Sequence, residues 1–102
     1  MDRLSQLEQM LKEDPKDPFL LYAIALEHAK NGEREKAIGL VEELLATQPD
    51  YLGAYYQLGQ WFEQEMENEK AISVYEKGIV LAKKLGNKKT EGELRTALDN
   101  LE

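Results

Sequence analysis

The chain contains no cysteine, which excludes a disulfide framework, a thiolate metal site and a thiol nucleophile together. It has one histidine, His28, and base catalysis would need a second group to orient that ring. No Gly-rich phosphate loop, metal-ligand spacing or paired-acid motif can be found, so no catalytic residue, cofactor or metal is expected. Long apolar runs are missing too. None approaches the ~18 residues that cross a bilayer, and Met1-Asp2-Arg3-Leu4 lacks a long apolar stretch, so no membrane partner is expected; a chain without cysteine is at home in a reducing compartment, and the cytoplasm is the expected location. Basic residues are the minority: 13 against 20 acidic give a net charge of −7, which repels a phosphate backbone and argues against nucleic acid. The one local exception is Lys83, Lys84, Lys88 and Lys89, which reads as a solvated turn. The closing Leu101-Glu102 has the form of a vector-derived tail, and no functional argument rests on it.

What the chain does have is an internal repeat. Glu35-Lys36-Ala37-Ile38 returns as Glu69-Lys70-Ala71-Ile72, an offset of 34 residues. That is the period of a helix-turn-helix unit that cannot bury its apolar face alone. Residue class is kept well beyond the tetrapeptide: Leu21 pairs with Tyr55, Ile24 with Leu58, Ala25 with Gly59, His28 with Phe62 and Val41 with Tyr75. The register also runs backwards, with Leu4 over Ile38, Leu7 over Val41, Leu11 over Leu45 and Pro15 over Pro49. The first helix is therefore read as the second half of a repeat. Ser5, Gly39 and Ser73 share one small place, which reads as close helix packing.

Local punctuation predicts six helices. Asp14 to Pro18 ends the first, with Asp17 as the cap and Pro18 at the first position of the second, where its missing N–H costs nothing. Asn31-Gly32 supplies a left-handed turn, and the third helix runs to about Thr47. Asp50 is expected to cap the helix that holds Trp61. The turn at Glu65-Met66-Glu67-Asn68 has no glycine and is inferred from the register and from Asn68. The fifth helix runs long, to a Gly86-Asn87 stop. Thr90 and Glu93 have capping-box spacing for the last helix, with Asn87 the alternative start; Leu94, Ala97, Leu98 and Leu101 form its one apolar face. With 102 residues and 42% hydrophobic content, one domain spanning 1–102 is expected: a capping helix over 1–16, repeats over 17–50 and 51–86, and a capping helix over 87–102.

These positions resemble the tetratricopeptide repeat family. The second repeat fits best, through Tyr55, Leu58, Gly59, Phe62, Ala71 and Tyr75, with Lys83 in place of the late proline. The first keeps Leu21, Ala25, Ala37 and Pro49. The resemblance implies an all-α fold of antiparallel helix hairpins stacked as a short right-handed superhelix, with the first helix of each repeat lining a concave face. It implies a lining of Phe19, Tyr22, Leu26 and Ala29, then Gly53, Tyr56, Gln60 and Glu63. Family members that clamp a C-terminal carboxylate use lysine, asparagine and arginine there, and Tyr22, Leu26 and Gln57 stand in the matching places, so that clamp is absent.

The expected function is a non-catalytic protein-interaction module that holds a partner peptide or helix. Phe19, Tyr22, Leu26, Tyr56, Gln60 and Glu63 are the candidate contact residues. The apolar run from Phe19 to Leu26 leaves two readings open: internal core, or an exposed patch for a peptide, a helix or a second copy of the chain. Self-association as a homodimer through the same groove is the alternative function.

Overall fold

The computed structural model describes residues 2–102. The chain is all-helical: α1 (Arg3–Glu13), α2 (Pro18–Lys30), α3 (Arg34–Thr47), α4 (Gly53–Gln64), α5 (Asn68–Leu85) and α6 (Lys88–Asp99), with no strand among the described residues. The helices form two compact units, Met1–Pro49 and Asp50–Glu102.

In the first unit, α2 and α3 form a hairpin and α1 packs on α2. Asp17 caps α2 as its sequence requires, its Oδ1 accepting the Phe19 N–H at 2.9 Å and the Leu20 N–H at 3.4 Å, with Pro18 in the first turn. Asp2 does the same for α1, accepting the Ser5 N–H at 2.7 Å. Leu7 of α1 meets Leu20, Ala23 and Ile24 of α2 in one buried cluster, flanked by Leu4, Leu11 and Leu40. Arg3, at the place the repeats give to Ala37 and Ala71, reaches Glu27 of α2 through an ion pair of 3.2 Å. Both alanines are fully buried. The Arg3 side chain is 60% exposed, so this pair adds little to stability.

In the second unit, α4 and α5 form the matching hairpin and α6 packs on α5. Two glycines permit this. A Cβ on Gly59 would lie 2.1 Å from the ring of Tyr75, and one on Gly78 would lie 2.9 Å from both Leu94 of α6 and Tyr55 of α4. Close packing sits at these positions and not at the small place expected from sequence. Gly39 has no neighbour within 4 Å of where its Cβ would be, and Ser73 is exposed. The polar face predicted for α6 holds: Leu94 and Ala97 are buried while Glu93, Arg95 and Asp99 are exposed.

The two hairpin turns are built alike, bond for bond. In the first, Gly32 N–H donates to Ala29 O and Glu33 N–H to His28 O; in the second, Met66 N–H donates to Glu63 O and Glu67 N–H to Phe62 O. This is the Schellman arrangement, which needs one residue in the left-handed region. Gly32 has φ 86° and Met66, its partner at the repeat offset, has φ 63°. Met66, and not Asn68, makes the second turn, because the bond pattern fixes the place of the left-handed residue; Asn68 is already the first residue of α5. A second correction concerns Asp50. Helix α4 starts three residues later, with Leu52 in the cap position in helical geometry and no side-chain cap, and its entry is closed by backbone bonds from Ala54 to Tyr51 and from Tyr55 to Leu52. Asn87 starts α6, its side chain accepting the Thr90 N–H at 3.0 Å.

Candidate functional site

The six candidate contact residues fall three to each unit. On α2, Phe19, Tyr22 and Leu26 recur at i, i+3 and i+7 and share a face. The adjoining face, Leu20, Ala23 and Ile24, is the one buried in the core cluster. Phe19 is 60% exposed, Leu26 is 36% exposed and Tyr22 is half-buried. The apolar run is therefore core on one side and surface on the other. His28, lower on the same helix, is buried, and its Nδ1 lies 2.9 Å from Glu33 Oε1. The hydrogen bond with His28 holds the Glu33 carboxyl below its ordinary range, and nearby Lys36 acts the same way. That bond ties α2 to the turn leading into α3, a positioning role. In the second unit Phe62 replaces His28; Glu67 pairs instead with Lys70 at 3.4 Å, and the Lys70 ammonium stands 5.7 Å from the centre of the Phe62 ring.

On α4, Tyr56, Gln60 and Glu63 line one wall of a cleft of about 750 Å³, and α6 supplies the other wall through Lys88, Lys89, Glu93 and Thr96. The floor is organised by Tyr75, which the sequence marks only as the repeat partner of Val41 and a position of the family pattern. Tyr75 of α5 is fully buried, and its hydroxyl donates to Glu63 Oε2 while accepting from Gln60 Nε2 at 2.7 Å. Gln60 Nε2 also lies 3.3 Å from Glu63 Oε2. Burial pushes the Tyr75 phenol far up, and the neighbouring Glu63 carboxylate adds to the shift, so the hydroxyl remains a neutral donor across the physiological range. The tilted ring of Tyr56, 39% exposed, stands 6.3 Å from that of Tyr75 at 45°. One oxygen of Glu63 and the amide nitrogen of Gln60 are thus held in fixed positions, and each of these cleft-lining side chains has a second oxygen able to accept.

The sequence pattern marks α6 only as a capping helix and so does not point to it as a wall of the cleft. The signal was present: α6 follows a second helix, so by the repeat it stands where another first helix would begin. A further cleft of about 550 Å³ lies in the first unit between the Pro15–Lys16 loop, Leu21 of α2 and Leu40 and Leu44 of α3, with Gln48 Nε2 donating to Lys16 O at 2.8 Å across its edge. Among the described residues there is no cluster of three or more potential metal ligands, and no helix is long and apolar enough to cross a membrane.

Two helix hairpins with matching turns at a 34-residue offset, each presenting an aromatic side chain at the surface of its first helix, define a helical repeat fold. Comparison with solved structures gives the family. The tetratricopeptide repeat domain protein from Salinibacter ruber, in its solution NMR structure, is 42% identical over 86% of this chain and 89% of its own, with a TM-score of 0.83. A crystal structure of the tetratricopeptide repeat domain protein from the same organism is 41% identical over 83% of this chain and 94% of its own, with a TM-score of 0.78. A solution structure of a Bordetella parapertussis protein shares the fold, at 22% identity, 99% and 88% coverage and a TM-score of 0.85. No family model and no curated protein sequence matches the chain. The chain belongs to the tetratricopeptide repeat family.

Proposed function

We propose that the chain is a non-catalytic protein-interaction module that holds a partner peptide or helix against the first helices of its hairpins. The observation that carries this reading is the cleft between α4 and α6, which gathers Tyr56, Gln60 and Glu63. Its chemistry is that of a recognition surface: an exposed aromatic face, two positioned acceptors and a rim with both signs of charge, on rigid helices. Nothing in it pairs a nucleophile with a base, since the buried phenol serves as a hydrogen-bond post. The test is selection of binding peptides from a displayed random library, followed by affinity measurement on Tyr56→Glu and Gln60→Lys. Selected peptides should lose at least about tenfold on either variant, equivalent to about 1.4 kcal/mol. Peptides that bind both variants as well as the native chain would remove the cleft from the account.

A second reading rests on α2. Phe19 is a large aromatic 60% exposed, beside the exposed Leu26, and such a pair fits an apolar contact with a second copy of the chain. Light scattering over a concentration series, with Tyr22→Lys as the disrupting variant, decides it: a dimer that the variant dissolves supports self-association, and a concentration-independent monomer rejects it.

A further inference from the structure

Between Lys77 and Thr90 the chain carries five lysines and no carboxylate, although its net charge is −7. All five, Lys77, Lys83, Lys84, Lys88 and Lys89, are exposed, and none takes part in an ion pair among the described residues. Lys77, Val80 and Lys84 recur at i, i+3 and i+7 on one face of α5, and Lys83 lies beside them. Val80 is 69% exposed and Leu85, at the helix end, 53% exposed, so the strip offers aliphatic contact between its charges.

Local stability accounts for only part of this. Lys83 and Lys84 complement the negative end of the α5 dipole. Lys88 and Lys89 do the opposite, because they occupy the first two positions of α6, where the dipole is positive and acidic residues are favoured. A sequence that keeps cations at an unfavourable helix start, next to others with no partner, carries a cost that binding can offset.

We propose that the strip from Lys77 to Lys89 docks a short acidic amphipathic segment of a partner protein, its carboxylates on the lysines and its aliphatic side chains on Val80 and Leu85. Outside this stretch the chain is acidic, with a net charge of −7 overall and Glu76, Glu91 and Glu93 adjoining it in sequence. An extended polyanion, such as a nucleic acid duplex or an anionic bilayer, meets that wider negative field and is repelled, whereas a short segment meets chiefly the lysines. No aromatic residue stands in the strip to stack a base. This surface is separate from the reading of the α4–α6 cleft, with which it shares only Lys88 and Lys89 at the rim.

The test uses the full chain and a fluorescently labelled synthetic helical peptide with leucines on one face and glutamates flanking them, read by anisotropy at low and high salt. Binding is expected, weakening as salt rises. Lys83→Glu/Lys84→Glu and Lys88→Glu/Lys89→Glu should each weaken it by at least about tenfold. The second pair should at the same time raise the thermal midpoint, since it places acids at the start of α6; a merely structural role for these lysines predicts the reverse. Tyr56→Ser should leave binding unchanged, which separates this surface from the cleft. The proposal is overturned if the peptide does not bind, if either lysine pair can be reversed without loss, if Tyr56→Ser abolishes binding, or if phosphatidylserine vesicles or duplex DNA bind as tightly as the peptide.

Discussion

Replacing Gly59 with alanine puts a methyl group 2.1 Å from Tyr75 Cε1, 2.6 Å from Cζ and 2.7 Å from Cδ1. That ring cannot swing aside, because it is fully buried and its hydroxyl is held by Gln60 and Glu63. Two opposing effects set the outcome. Alanine in a helix interior is favoured over glycine by up to about 1 kcal/mol, while overpacking a core costs about 1–3 kcal/mol and occasionally more. With so short a contact the clash wins, and Gly59→Ala should destabilise the second unit by about 2 kcal/mol. The first repeat shows how the clash is relieved, because at the same two places it has Ala25 and Val41, both fully buried. Tyr75→Val should itself cost about 2–4 kcal/mol in lost burial. In that background, however, Gly59→Ala should become neutral or stabilising by up to about 1 kcal/mol, giving a favourable coupling of about 2–3 kcal/mol. Trp61, the only tryptophan, is buried two residues from Gly59, so urea unfolding followed by its fluorescence reports on this unit. A Gly59→Ala effect of the same sign and size in both backgrounds would refute the argument.

Met66→Gly should stabilise the chain by about 0.5–1 kcal/mol in thermal unfolding, since left-handed strain of ~1–2 kcal/mol is relieved against ~0.5–1 kcal/mol of added unfolded-state entropy. The Met66 side chain is 87% exposed and gives up no packing. Tyr75→Phe should cost about 1 kcal/mol, the net value of the hydroxyl's bonds to Gln60 and Glu63, without unfolding the chain in circular dichroism. The folded-state pKa of Glu33 lies below its ordinary 4.5, so the His28 contact stabilises the fold above that pH and is lost as pH falls through the folded value. His28→Phe, which copies Phe62, should raise the Glu33 pKa seen by NMR titration and make stability less steep in acid.

The architecture was legible because two signals with different physics agreed. The 34-residue offset paired large with large and small with small, and capping chemistry marked the same boundaries independently, most clearly at Asp17-Pro18, Asn31-Gly32 and Gly86. Where the structure departs from the residue-type expectation, local backbone hydrogen bonding has overridden side-chain propensity. Met66 is a poor left-handed residue by type, yet the Schellman bonds of the turn hold it there; Asp50 is a good cap by type, yet α4 begins beyond its reach. Gly78 gave no warning, since the first repeat has Leu44 at its place, and the small residue is demanded by the close approach of both Leu94 of α6 and Tyr55 of α4. For the candidate site, the six residues implied by the family resemblance lie at exposed or half-buried positions. The resemblance could not show that Gln60 and Glu63 share Tyr75, or that α6 forms the facing wall, because both depend on a side-chain direction and a helix placement that lie outside the repeat pattern.

The most direct test of a partner-binding role is an NMR titration of the isotope-labelled chain with a peptide selected for binding it. The account predicts backbone amide shifts concentrated at Tyr56, Gln60 and Glu63 on α4 and at Gly92, Glu93 and Thr96 on α6, together with loss of binding in Tyr56→Glu. Shifts that leave α4 and α6 untouched, with Tyr56→Glu binding as before, would contradict it.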